Sequence, residues 1–278
     1  MRTISGEAVT QAVKQLFLSA CRMPEHGALA AIESAHKKET SAPAKEALRQ
    51  LVENARIARQ TGMPYCQDTG MAVVFVELGQ DVRIEGSLPE AIQEGVRRAY
   101  EEGYFRKSVR DPLTGQNTGD NTPAVIHYDV VPGDKLRIFA APKGFGSENM
   151  SRIAMLRPAD GISGARKFVI ETAQKAGPNA CPPLVIGVGI GGTFDQVALA
   201  AKRALTRDVG VPHADPFYAK LEEEWLLEIN RLGVGPQGMG GRTTALSLAI
   251  EALPTHIAGL PVACNINCHV ARHMREVL

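Results

Sequence analysis

The 278-residue sequence lacks the features of a membrane, exported or nucleic-acid-binding protein. No apolar run approaches the roughly 20 residues that span a bilayer. The N-terminus has neither a signal-peptide block nor the Arg-rich composition of a transit peptide. Because 31 Lys and Arg balance 30 Asp and Glu, for a net charge of +1, no overall charge attracts nucleic acid or anionic lipid. We therefore expect a cytoplasmic protein that binds neither membrane nor nucleic acid.

Cysteine is scarce, and its distribution excludes two common roles. The five cysteines are Cys21, Cys66, Cys181, Cys264 and Cys268. An odd number in a chain of this length argues against a disulfide framework, and the absence of a C-x-x-C pair argues against a structural zinc site. The remaining roles are buried apolar thiol, nucleophile and metal ligand.

Three of these thiols share a position between a loop and a predicted element: Cys66, Cys181 and Cys268. Cys21 instead lies on the apolar face of a predicted helix, as a buried thiol would. Three dispersed thiolates suit a cubane iron–sulfur cluster in which one iron has no protein ligand, whereas electron-transfer clusters use four cysteines. Cys264 is a rival ligand at this point.

Hydrophobic periodicity predicts an α+β protein, a helix-rich single large domain over residues 1–278 with a small β-sheet. Two polar or glycine-rich loops, residues 106–122 and 232–244, are long enough to be functional. Helices are predicted over 6–21, 41–62, 87–103, 160–177, 193–205, 215–233 and 243–253, with a short final helix after Cys268. Strands are predicted within 71–78, 122–144, 182–192 and 255–268.

The stretch "GVGIGG" matches the dinucleotide pattern G-x-G-x-x-G at Gly187, Gly189 and Gly192, after a strand and before a helix. The next segment, "TRDVGVPHADP", is polar and broken by proline, so it cannot supply the second buried strand and ribose-binding acid of that fold. We interpret the glycines as sites of close backbone approach. An anion at the helix N-terminus remains an alternative.

Seven motifs carry a resemblance to a known family. In chain order they are "CQDTG", "FRKSV", "NTGDNTPAVIH", "APKGFGSENMSR", "CPPLVIGVGIGGTFD", "GPQGMGGRTTAL" and "PTHIAGLPVACNINCHVARH". Together they resemble the class I fumarase and L-tartrate dehydratase family, and more narrowly the alpha subunit of its two-subunit members. The resemblance covers nearly the whole chain, with comparable spacings.

The resemblance implies the cluster-binding catalytic domain of an iron–sulfur hydro-lyase, with an oxygen-sensitive 4Fe-4S cluster on three cysteine ligands. Those ligands would be Cys66, Cys181 and Cys268, which leaves Cys264 as a small core residue. The implied catalytic residues are Asp68 and His256. The implied substrate-binding residues are Gln67, Arg106, Gly146 and Lys143, of which Gly146 would offer its N–H and Lys143 positive potential.

The implied reaction is the reversible hydration of fumarate to (S)-malate, a small dicarboxylate. Nothing in the chain matches the second domain of single-chain fumarases, so a separate beta subunit is expected to complete the site in an α2β2 assembly. Three alternatives stay open. They are L(+)-tartrate dehydratase, a non-catalytic iron–sulfur redox sensor, and an enzyme with a cysteine nucleophile such as Cys268 beside His269.

Overall fold

The computed structural model describes residues 2–278, apart from the side chain of residue 26. Its helices are α1 Gly6–Arg22, α2 His26–Lys38, α3 Ala42–Thr61, α4 Leu88–Glu102, α5 Phe145–Glu148, α6 Gly161–Ala176, α7 Phe194–Ala204 and α8 Pro216–Arg231. Its strands are β1 Arg2–Ser5, β2 Met71–Gly79, β3 Val82–Glu85, β4 Val125–Val131, β5 Leu136–Lys143, β6 Arg152–Leu156, β7 Leu184–Gly191, β8 Ala245–Leu253, β9 Leu260–Asn267 and β10 Met274–Val277.

The predicted α+β class is confirmed, because helix covers 44% of the chain and strand 25%. The contacts divide the chain into two compact units. Unit 1 comprises Met1–Glu25, Ala55–Phe145 and Arg272–Leu278, and unit 2 comprises His26–Asn54 and Gly146–Ala271. The single catalytic domain over residues 1–278 stays a prediction. In residues 2–278, every helix is too short or too polar to cross a lipid bilayer.

In unit 1, α1 and α4 pack together and share an apolar core with a four-stranded sheet of order β10-β5-β2-β4. The core side of α1 carries Val9, Val13 and Phe17, spaced four residues apart on one helical face. Strand β2 pairs in parallel with β4 and antiparallel with β5. The two strands predicted within 122–144 are therefore present, but β2 lies between them. A separate parallel pair joins β1 to β3.

Unit 2 is built on a four-stranded sheet of order β6-β9-β7-β8. Even-numbered side chains of β7, such as Ile186 and Val188, share a core with Trp225 of α8. Ala263 of β9 instead packs against α7. Since alternate residues of a strand point to opposite faces, the sheet is covered on both sides. The α2 helix and the part of α3 up to Asn54 form a smaller apolar cluster of their own.

The glycines of "GVGIGG" lie where α7 crosses β7. A Cβ atom on Gly187 or Gly189 would stand 2.1 Å from the carbonyl oxygen of Ala201 or Val197. Only glycine permits the helix backbone to approach the strand this closely. The interpretation of these glycines as sites of close backbone approach is confirmed.

Two predicted helices are wrong, and both segments are strands. Residues 243–253 contain β8, which pairs in parallel with β7 and buries Leu248 and Ile250. A parallel strand covered on both faces is mostly apolar, so the Ala- and Leu-rich sequence of β8 imitates a buried helix. The segment after Cys268 contains β10, which pairs with β5. The sequence analysis also missed α2, α5, β1, β3 and β6.

Candidate functional site

The segment Cys66–Gly70 of unit 1 lies between α3 and β2, outside any helix or strand. Two fully buried side chains hold its backbone. The Tyr100 hydroxyl donates to the Thr69 and Gly70 carbonyls at 2.7 and 3.1 Å. The Asn121 amide donates to the Gly70 carbonyl at 3.2 Å. Because an unpaired buried donor would cost about 1–3 kcal/mol, these bonds fix the position of the segment.

Asp68 has a fixed carboxylate. One of its oxygens, Oδ1, accepts the N–H of Gly70 at 2.9 Å, and the other, Oδ2, accepts the N–H of Phe145 at 2.9 Å. The Arg272 guanidinium donates to the Asp68 backbone carbonyl, and its Nε donates to the Pro142 carbonyl at 3.1 Å. Each carboxylate oxygen has a second lone pair, so the half-buried Asp68 can accept a further hydrogen bond from a ligand.

The loop that carries Arg106 is attached to the same segment. The Thr69 hydroxyl donates to the Arg106 carbonyl at 3.0 Å. Asn121 accepts the N–H of Ser108 at 2.6 Å and that of Val109 at 3.2 Å. The Arg106 side chain itself is exposed, and within residues 2–278 its guanidinium makes no hydrogen bond or ion pair. Unit 1 therefore brings together the backbone of Arg106 and the Cys66–Gly70 segment.

The other predicted substrate-binding residues occupy different environments. Gln67 is exposed beside Cys66. Lys143 ends β5 and is buried, with its ammonium donating to the Gly144 carbonyl at 3.0 Å. Gly146 is exposed at the second position of α5. Since the first N–H groups of a helix have no intrahelical partner, the N–H of Gly146 points out of the helix end.

In unit 2 the structure brings the Cys181 and Cys268 segments together. The N–H of His269, which follows Cys268, donates to the Cys181 carbonyl at 3.3 Å. Cys181 is exposed and follows a 3-10 turn, Gly177–Ala180, with a positive φ of 51°. This left-handed conformation costs a non-glycine residue roughly 1–2 kcal/mol and persists only where the surroundings enforce it.

The five thiols fall into two groups by environment. Cys21 and Cys264 are buried, and desolvation raises their pKa values to about 11 and about 12. Thiolates, rather than thiols, bind metals, so Cys264 is a core residue as predicted. Cys66 and Cys268 are half-buried and Cys181 is exposed. Across residues 2–278, no three His, Cys, Asp or Glu side chains form a metal-binding group. The three-cysteine ligand set stays a prediction.

His256 lies in unit 2, on the exposed segment between β8 and β9. Its Nδ1 accepts the N–H of Ala258 at 3.2 Å, so a neutral ring carries its proton on Nε2, where it can donate outward. The ring lines an apolar cavity of about 380 Å³ whose walls include Ile162, Phe217 and Trp225.

The family model for fumarate hydratase (Fumerase) matches residues 10–277. The chain belongs to the fumarate hydratase family. It is 42% identical, over 95% of both chains, to a provisionally named L(+)-tartrate dehydratase subunit alpha of Methanocaldococcus jannaschii. It is also 33% and 32% identical to L(+)-tartrate dehydratase subunits alpha of Escherichia coli strains UTI89 and K12, over 84% of this chain and 78% of each relative.

Family membership places the chain among hydro-lyases, because both activities in these names add or remove water. The predicted class I fumarase and L-tartrate dehydratase family is confirmed. The sequence analysis missed the side chains that support these segments, which are the buried Tyr100, Asn121, His269 and Arg272 and the half-buried Gln237. All except Tyr100 lie within the quoted motifs, so the motifs could have pointed to them. Their burial could not be read from the sequence.

The two thiol environments predict different reactivity in the metal-free chain. Alkylation requires the thiolate, and a raised pKa lowers the thiolate fraction at about pH 8. Cys21 and Cys264 should therefore react with iodoacetamide at least about 100-fold more slowly than Cys66 or Cys181. Peptide mass spectrometry over a time course measures each rate. Equal rates for Cys264 and Cys181 would contradict the core assignment of Cys264.

Proposed function

We propose that this chain is the alpha subunit of a two-subunit hydro-lyase that interconverts fumarate and (S)-malate. One observation carries the proposal. The Asp68 carboxylate is fixed by two backbone N–H groups, on a segment that is hydrogen-bonded to the backbone of the exposed Arg106. A rigid carboxylate and an available guanidinium suit a small diacid that gains or loses a hydroxyl group.

Each substrate-binding residue has a separate role in this proposal. Arg106 binds one substrate carboxylate through the two parallel N–H bonds that guanidinium geometry permits. Gln67 contributes an exposed amide that can donate and accept. Gly146 donates its N–H at the start of α5. The buried ammonium of Lys143 adds positive potential without leaving the protein interior.

The two catalytic residues act on the reacting part of the substrate. Asp68 accepts a hydrogen bond from the reacting hydroxyl through a lone pair that its backbone donors leave available. His256 donates from Nε2 to the substrate, since its Nδ1 is occupied by the Ala258 N–H. Both residues orient the hydroxyl group relative to the carbon from which it departs.

Cys66, Cys181 and Cys268 would hold the 4Fe-4S cluster that we infer for this family member. These are the three thiols that remain accessible, while Cys21 and Cys264 are buried as protonated core residues. When bound, a cluster with one iron lacking a protein ligand supplies a Lewis acid for the C–O bond. The local chain supports the fit at Cys181, an exposed residue with a left-handed backbone whose carbonyl is contacted by His269.

A beta subunit completes the site in this proposal. The relatives are named alpha subunits, and a partner of that kind would supply further cations for the diacid and the base for the C3 proton. We infer an α2β2 assembly in the cytoplasm. The isolated alpha chain should bind the cluster and turn over substrate very slowly.

The second candidate function is L(+)-tartrate dehydratase. The observation that favours it is the name of the relatives, including the one that is 42% identical. Tartrate carries one hydroxyl more than malate, so its recognition requires an additional polar contact at the second carbon.

Comparison of the two substrates tests the proposal. The chain co-expressed with its partner subunit, purified without oxygen, should hydrate fumarate with a kcat/KM at least about tenfold above that for L(+)-tartrate dehydration. Absorbance of fumarate and of the tartrate product measures the two rates. The opposite ratio would establish the second candidate, and turnover of neither substrate would refute both.

Serine substitutions test the ligand set. Cys66→Ser, Cys181→Ser and Cys268→Ser should each lower the anaerobic iron and sulfide content per chain several-fold, because each removes a thiolate ligand. Cys264→Ser is the matched control and should retain the wild-type content. A loss confined to Cys264→Ser would overturn the assignment.

Arg106→Lys tests carboxylate recognition. The lysine retains the charge but loses the bidentate geometry, so KM for fumarate should rise at least about tenfold with little change in kcat. Arg110→Lys, an exposed arginine of the same loop, is the matched control. Steady-state kinetics of the two-subunit enzyme gives both constants. Equal KM values for the two variants would remove Arg106 from the substrate site.

A further inference from the structure

Gln237 of unit 2 binds the turn formed by Cys181 and Pro182. Its backbone N–H donates to the Pro182 carbonyl at 2.8 Å, and its side-chain amide donates to the same oxygen at 2.7 Å. The amide nitrogen also lies 3.2 Å from Nδ1 of His269. One side chain thus contacts both the Cys181–Pro182 turn and the residue that follows Cys268.

His269 binds the same turn from the end of β9. Its N–H donates to the Cys181 carbonyl at 3.3 Å, and its Nδ1 lies 3.0 Å from that oxygen. The side chain is 8% exposed. The carbonyls of Cys181 and Pro182 are therefore each contacted twice, that of Cys181 by His269 and that of Pro182 by Gln237.

The backbone conformation of Gln237 is one that a non-glycine residue rarely adopts. Its φ is +52°. Five glycines in the same loop also have positive φ: Gly233, Gly235, Gly238, Gly240 and Gly241. Glycine adopts this conformation without strain, whereas glutamine does not. A glutamine at the sixth such position is therefore strained locally, and its amide bonds to the turn offset that strain.

The glycine-rich loop, residues 233–242, is itself held in place. Glu39 is buried and accepts the N–H of Arg242 at 2.8 Å. A Cβ atom on Gly238 would stand 2.5 Å from Cβ of Pro178, so the loop packs directly on the 3-10 turn before Cys181. Gln237 thus reaches the Cys181–Pro182 turn from a fixed support.

We propose that Gln237 and His269 are positioning residues that hold the Cys181–Pro182 turn against the end of β9. They set the backbone positions of Cys181 and Cys268 before any group binds to the two thiols. The relevance to a cluster rests on the proposed function, whereas the positioning itself does not require one. In metal sites, the loss of supporting contacts costs about 10–100-fold in affinity.

Gln237→Gly is the informative variant. Glycine keeps the positive φ and the backbone N–H that donates to Pro182, and it removes only the amide. Hydrogen exchange of the metal-free chain should show the His269 amide exchanging at least about tenfold faster than in the wild type. After anaerobic loading, a chelator should remove iron at least about tenfold faster.

Two variants of His269 distinguish the effect of its hydrogen-bond donor from that of its side-chain volume. His269→Asn places an amide donor near the original Nδ1. It should keep the rates of amide exchange and of iron release within about twofold of the wild type. His269→Leu fills the space without a donor and should behave like Gln237→Gly. Tyr104→Gly in unit 1 is the matched control for placing glycine at a positive φ, since Tyr104 has a φ of +52°.

The outcomes are decisive in each direction. An unchanged exchange rate of the amide at position 269 in both Gln237→Gly and His269→Leu would overturn the proposal. Exchange that accelerates equally throughout unit 2 would overturn it as well. Accelerated exchange at His269 in a chain whose wild type takes up no iron would support the positioning role. That same result would refute the iron–sulfur part of the proposed function.

Discussion

Hydrogen bonds from buried or half-buried side chains to backbone carbonyls determine where two segments with candidate site residues lie. The Cys66–Gly70 segment and the Cys181–Pro182 turn belong to no helix or strand, so no regular ladder pairs their polar groups. Tyr100 and Asn121 pair those of the first. Gln237 and His269 pair those of the second. Because unpaired buried polar groups are costly, each segment has one well-defined position.

In both segments, the groups that hold the backbone differ from the side chains proposed to bind substrate or cluster. In unit 1, Tyr100 and Arg272 hold the backbone around Asp68. Two backbone N–H groups orient its carboxylate, which can still accept a further hydrogen bond. In unit 2 the carbonyl of Cys181 is contacted by His269, while the residue itself is exposed. The thiols that stabilise the cores, Cys21 and Cys264, are desolvated and have raised pKa values. Burial thus distinguishes structural cysteines from candidate ligands.

Sequence patterns predicted the elements whose apolar spacing is local, such as α1, α4 and β2. They failed at β8, because its parallel pairing with β7 is a tertiary contact that overrides the helix propensity of Ala and Leu. The motifs identified Cys66, Asp68 and Arg106 but not the residues that support them. Tyr100 bonds to a carbonyl 31 residues away, Asn121 to one 51 residues away, and the His269 ring contacts one 88 residues away. No spacing rule for helices or strands covers such separations.

The state of Asp68 bears on whether the site prefers fumarate or tartrate. A site discriminates strongly against a substrate that lacks a hydroxyl only if a buried polar group is then left unpaired. Both oxygens of Asp68 already accept a backbone N–H, so the absence of a second substrate hydroxyl leaves neither unpaired. Gln67 is exposed and can bond to water instead. In the proposed site, Asp68 and Gln67 would therefore impose little penalty on fumarate, and a strong preference for tartrate would require a buried polar group elsewhere.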